Sequence, residues 1–77
     1  MVNVLLFAQF QEAAGRETVE IEAAGQSVAH VKSVLKENYN LQDLDQAMTS
    51  INEEYVDMDT ILNDGDTVAF IPPVSGG

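Results

Sequence analysis

The segment Pro72, Pro73, Val74, Ser75, Gly76, Gly77 is the strongest candidate for chemistry in this chain. Two consecutive prolines fix φ twice and remove two backbone donors, so a strand cannot continue through them and the chain beyond runs extended. Four extended residues reach roughly 13 to 14 Å, enough to enter a narrow cleft of a partner. Glycine at both final positions is costly in a segment meant to fold, because glycine loses the most freedom on ordering. With no side chains at the tip, a terminal carboxylate can approach reacting groups closely. The tail therefore reads as the working part, and a frayed inert end is the alternative.

The other candidates are weaker. His30 is the only histidine and lies on the polar side of a helix beside Lys32 and Ser33, without a carboxylate to orient it. A solvated surface histidine is the stronger reading. Asp57, Asp59, Asp64 and Asp66 invite a calcium loop, but the stretch from Asp57 turns apolar at Ile61 and Leu62 where further oxygen ligands are needed. Turn formation and solubility explain these acids better, and no metal site is expected. Lys32 and Lys36 form a like-charged i, i+4 pair, too small for a nucleic-acid patch. Gly76-Gly77 is no phosphate loop, because no helix follows it. With no cysteine in the chain, disulfides, thiolate metal sites and a cysteine nucleophile are all excluded.

The elements that must position the tail follow from the hydrophobic pattern. Val2 to Ala8 is apolar on both faces from Val4 onward, which predicts a central strand covered on both sides. A polar stretch through Gln9, Gln11, Glu12 and Gly15 supplies a turn. Glu17 to Glu22 alternates, with Val19 and Ile21 on one face and Thr18, Glu20 and Glu22 on the other, as expected of a half-solvated strand paired with the first. Ser27 is an N-cap for a helix whose stripe is Val28, Val31 and Leu35, widened by Val34 and extended by Tyr39. His30, Lys32, Ser33, Lys36 and Glu37 lie off that stripe, and the helix ends near Asn38 to Asn40. Leu41 and Leu44 anchor an irregular acidic connection. Met48 to Ile51 is a short strand, Asn52-Glu53-Glu54 a turn, and Tyr55-Val56 a brief return. Asn63-Asp64-Gly65-Asp66 is a turn that launches the last strand, Thr67 to Ile71.

This order allows the last strand to lie parallel beside the buried first one, by a right-handed crossover through the helix. One mixed sheet with parallel central first and last strands and one main helix across it is an α+β domain, and the β-grasp (ubiquitin-like) arrangement is the simplest layout. Residues 1–73 form that domain, and 74–77 a flexible Gly-Gly tail. The chain has 77 residues, with 13 acidic against 3 basic side chains and a net charge of -10. Such a balance argues against nucleic acid or an anionic membrane as partner. No secretory signal or membrane span is visible, so a cytoplasmic protein is expected.

The run Asp64 to Gly77, DGDTVAFIPPVSGG, resembles the C-terminal signature of the small, sulfur-carrier subunits of molybdopterin synthase. The N-terminal VNVLLFA, Ala14-Gly15, the helix pattern from Val28 to Leu35 and Ile51-Asn52 also fit, so the resemblance spans essentially the whole chain. It implies a β-grasp fold and a carrier role, a sulfur-donating subunit that is not itself catalytic. An activating enzyme would use ATP to adenylate the Gly77 carboxylate, and a sulfur donor would convert it to a thiocarboxylate; no cofactor is bound. The tail would then enter the large synthase subunit, in a heterotetramer, and deliver sulfur to cyclic pyranopterin monophosphate. By position, Gly77 would bear the sulfur, Gly76 would let the tail thread, and Pro72, Pro73, Val74 and Ser75 would guide it.

The strand pattern adds an interface. If Val68 and Phe70 meet the helix, Ala69 and Ile71 face the other way. Ile71 beside the tail root, with Tyr55, is then an apolar anchor rimmed by Glu53 and Glu54. Three rivals remain: a sulfur carrier for another pathway such as thiamin thiazole, a ubiquitin-like modifier of target lysines, and an acidic binding module with an inert tail.

Overall fold

The computed structural model describes residues 1–72, apart from the side chains of Gln42 and Asp43. At its centre is β1 (Val2–Leu6), with Val2, Val4 and Leu6 buried and Asn3 and Leu5 only partly so. A short helix, α1 (Ala8–Ala14), follows, and then β2 (Thr18–Ile21), which returns antiparallel with Val19 opposite Val4. The main helix α2 (Val28–Tyr39) leads through a 3-10 turn (Gln42–Gln46) to β3 (Met48–Ile51), β4 (Glu54–Tyr55) and β5 (Thr67–Ile71). β5 lies parallel beside β1, with Val68 opposite Val4 and Phe70 opposite Leu6, and its other side pairs antiparallel with β3. The sheet order is β2-β1-β5-β3-β4. This is the expected β-grasp layout, with the first and last strands parallel in the middle of one mixed sheet.

The core sits between the sheet and α2. Val28, Val31 and Leu35 of the helix are buried in one cluster with Val4, Leu6, Val68 and Phe70. Both helix ends follow the sequence signals: the Ser27 hydroxyl accepts from the His30 backbone N–H at 3.3 Å, and Asn40 takes the left-handed conformation at φ 59°. Leu41 and Leu44 are both buried, as anchors should be, although the connection between them is a regular 3-10 turn.

Three expectations need correction. The stretch after β1 is a helix as well as a turn, so the sheet carries two helices. Only Phe10 of α1 is buried, and seven residues with a single anchor leave no apolar periodicity to read. Gly15 closes α1 at φ 74°, its N–H donating to the Gln11 carbonyl at 2.9 Å. Second, β1 is covered on one face only. The strand ends at Leu6, Leu5 is half-buried on the far face, and Phe7 is 43% exposed. Apolar residues on both faces here mark a buried face and an open one. Third, Lys32 does not lie out in solvent: it is 5% exposed and borders two clefts that also hold Asp45 and Met58.

Candidate functional site

The face of the sheet turned away from α2 is where β5 hands the chain to Pro72. Strand register builds it in rows. Tyr55 of β4 lies opposite Ser50 of β3, Ser50 opposite Ala69 of β5, and Ala69 opposite Leu5 of β1. In the next row Met48 lies opposite Ile71. Because side chains alternate along a strand, all of these share one face, while Val4, Leu6, Val68 and Phe70 point into the core. Leu5, Phe7, Ser50, Ala69, Ile71 and Tyr55 line an open groove of about 640 Å³ on it, and Asn52, Glu53 and Thr67 complete its lining.

The tight hairpin between β3 and β4 sets the acidic end of this groove. Its two turn residues, Asn52 and Glu53, both have positive φ, 50° and 73°, the pairing that matches the twist of the flanking strands. Asn52 is fixed further by β5: its side-chain oxygen accepts from the Thr67 N–H at 3.2 Å and its amide donates to Asp66 at 3.2 Å. Glu53 is thereby held at the groove. Glu54 is not. Its register opposite Ile51, a residue packed on the core, sets it on the other face from Tyr55. Of the expected interface residues the structure thus brings Ile71, Tyr55 and Glu53 together and leaves Glu54 apart. Ile71 is half-buried among its neighbours, and Tyr55 is 65% exposed. Leu5 and Phe7 were not expected here; their alternation with Val4 and Leu6 was the available signal. Pro73, Val74, Ser75, Gly76 and Gly77 lie outside the described residues, and Pro72 sits at the end of β5.

Apart from Glu53 and Tyr55, the groove lining carries no ionisable side chain. Lys36 binds Asp45 at 2.5 Å, and that hydrogen bond, helped by the charges of Lys36 and Lys32, holds the Asp45 carboxyl below its ordinary value. The amino group of Met1 pairs with Asp64 and is held protonated to higher pH by it. Asp57 and Asp66 accept hydrogen bonds from Thr60 and from the Asn63 N–H, the turn roles expected of them. Among the described residues no three His, Cys, Asp or Glu side chains gather as metal ligands, and His30 is exposed. What the groove can do is bury apolar side chains of another protein at the root of the tail.

A family model described as the ThiS family matches residues 4–77. The chain belongs to the ThiS family. The molybdopterin synthase sulfur carrier subunit of Escherichia coli K12 is 34% identical over the whole of both chains. A putative molybdopterin converting factor, subunit 1, from Pyrococcus furiosus has the same fold with a TM-score of 0.82 and 32% identity, over 95% of this chain and 97% of that one. A chain in the complex of subunits 1 and 2 of molybdopterin-converting factor from Helicobacter pylori matches with a TM-score of 0.71 and 27% identity, over 99% and 97%. The family resemblance in the C-terminal signature and the β-grasp expectation both hold for this ThiS-family chain.

Proposed function

We propose that this chain is the sulfur carrier of a molybdopterin synthase. The reading is carried by the match to the E. coli sulfur carrier subunit along that protein's full length. Support comes from the position of the Pro-Pro-Val-Ser-Gly-Gly segment, which leaves the central strand β5 beside an open apolar groove. In this function the Gly77 carboxylate attacks the α-phosphate of ATP on an activating enzyme, and pyrophosphate leaves. A sulfur donor then displaces AMP from the acyl carbon to give a thiocarboxylate. The tail, residues 74–77, enters the large subunit, where two such deliveries build the dithiolene on cyclic pyranopterin monophosphate. Gly76 lets the tail thread into a narrow channel, and Pro72, Pro73, Val74 and Ser75 guide it.

The chain contributes no acid, base or metal to this chemistry; it carries the sulfur and docks, in the cytoplasm. The groove of Leu5, Phe7, Ala69, Ile71 and Tyr55 is the docking surface, with Glu53 meeting a basic residue of the partner. Intact-mass analysis of the protein made together with its activating enzyme and a sulfur donor is the test. An oxygen-to-sulfur exchange at Gly77 is expected, lost when one residue is added after Gly77. Conjugates to target proteins in place of the thiocarboxylate would mean a protein modifier. A thiocarboxylate that purified large subunit cannot use would mean another sulfur pathway.

A further inference from the structure

An activated C-terminal carboxylate is an electrophile, and the nearest nucleophiles in solution are those of the carrier itself. An amine attacking the acyl-adenylate forms a C–N bond as the C–O bond to AMP breaks, and its proton passes to solvent. The product is a dead amide. The chain has no cysteine to compete, and its side-chain amines are Lys32 and Lys36. Lysine is already mostly protonated near neutral pH, so a neutral, solvent-open amine is the species to be avoided.

Both lysine amines are guarded by the fold, and the remaining amine, the exposed α-amino group of Met1, is paired with Asp64. Lys32 is 5% exposed and lies between two shallow clefts, each of which also contains Asp45 and Met58. Lys36, one turn further along α2, is bound by Asp45 at 2.5 Å, with its side chain 39% exposed. One carboxylate, supplied by the 3-10 turn, therefore stands over both lysines. We infer that Asp45 and the burial of Lys32 protect the lysines of this carrier from acylation by its own activated terminus, leaving it a donor whose side chains are poor acceptors. This rests on the carrier function proposed above, and it deepens it: specificity for sulfur over amine lies partly in the carrier and not wholly in its enzymes.

The pairing also fits the position of these residues. Lys32, Lys36 and Asp45 are on the α2 side of the molecule, and none of them lines the groove at the root of the tail. One of their clefts reaches Met48 and Tyr55 at the edge of the docking face.

The test installs the electrophile chemically, so that it does not depend on an activating enzyme. Full-length protein bearing a Gly77 thioester is incubated near pH 8, and amide-linked species are located by intact mass and peptide mapping. For the native protein hydrolysis should dominate, with only a small measurable fraction of amide at Lys36 and less at Lys32. Ala13→Lys, which adds an amine at an exposed position of α1, should give an amide-linked dimer. Asp45→Asn should raise acylation of Lys36 about two- to fivefold, the worth of an exposed ion pair. A small lysine analogue, added separately, confirms that the thioester reacts. Native protein acylated at Lys32 or Lys36 as fast as Ala13→Lys at its new lysine overturns the inference. So does Ala13→Lys staying silent while the small amine reacts, or Asp45→Asn leaving Lys36 unchanged. Failure of the carrier function itself reads out separately, as absence of sulfur on Gly77 in the mass analysis above.

Discussion

Two neighbouring residues of β5 carry opposite duties, and substitution separates them. Phe70 is fully buried against α2, while Ile71 is half-buried on the outer groove beside the tail root. Phe70→Ala empties the centre of the core and should lower stability by about 3–5 kcal/mol. That is much of the roughly 5–15 kcal/mol available to a folded domain, so its urea midpoint should collapse. Ile71→Asp should leave the urea midpoint nearly unchanged, yet weaken binding to the large subunit by at least about thirtyfold, the effect of losing one anchor of about 2 kcal/mol. Equal affinity for native and Ile71→Asp protein, measured by calorimetry, would remove the groove from the docking surface. Gly77 stands apart from both, since its part is chemical and its loss should abolish sulfur transfer without touching stability.

At the scale of elements, the sequence revealed what repeats and concealed what does not. The α2 stripe from Val28 to Leu35 gives three and a half residues per period, and Ser27 and Asn40 mark its ends, so the helix was legible. Parallel pairing of β1 and β5 followed from two apolar strands separated by a crossover helix. α1 was not legible, because one buried phenylalanine in seven residues has no period. Nor could Leu5 and Phe7 be assigned to an open face, since an apolar residue awaiting a partner looks the same as one awaiting a helix. Lys32 lies off the apolar stripe by pattern because hydropathy scores its ammonium and not its long apolar stem, which allows the side chain to be buried. The turn expected over Asn52-Glu53-Glu54 is confined to Asn52 and Glu53, the return strand is Glu54–Tyr55 and not Tyr55-Val56, and the hand of the turn was not legible. Both turn residues are left-handed, at φ 50° and 73°. Asparagine tolerates that conformation and glutamate does not, by about 1–2 kcal/mol. Glu53→Gly should therefore stabilise the hairpin, net of glycine's extra unfolded freedom, by about 0.5–1 kcal/mol. In a domain of this size that raises the thermal midpoint by roughly 2–8 °C. A lowered midpoint would mean that Glu53 makes stabilising contacts that outweigh its strained backbone.

For the whole molecule, charge and contact make separable contributions to partner binding. A net charge of -10 on a body with a radius of gyration of 11.4 Å creates a field that extends well beyond the groove at low salt. At about 0.01 M salt the screening length is roughly 30 Å, comparable with the 36 Å long axis of the molecule, and at about 0.1 M it shrinks to roughly 10 Å. The same charges repel one another within the fold, so salt should stabilise the isolated carrier while it weakens long-range attraction to a basic partner. These two effects run in opposite directions and cannot be produced by the apolar groove. Across that salt range the association rate with the large subunit should fall at least about tenfold, because steering acts on encounter. Dissociation should change little in the native protein, and it should be faster in Ile71→Asp by a factor that is nearly the same at both salts. Stopped-flow measurement of both rates decides the matter. An association rate indifferent to salt would show that the acidity serves solubility alone, and that the groove by itself selects the partner.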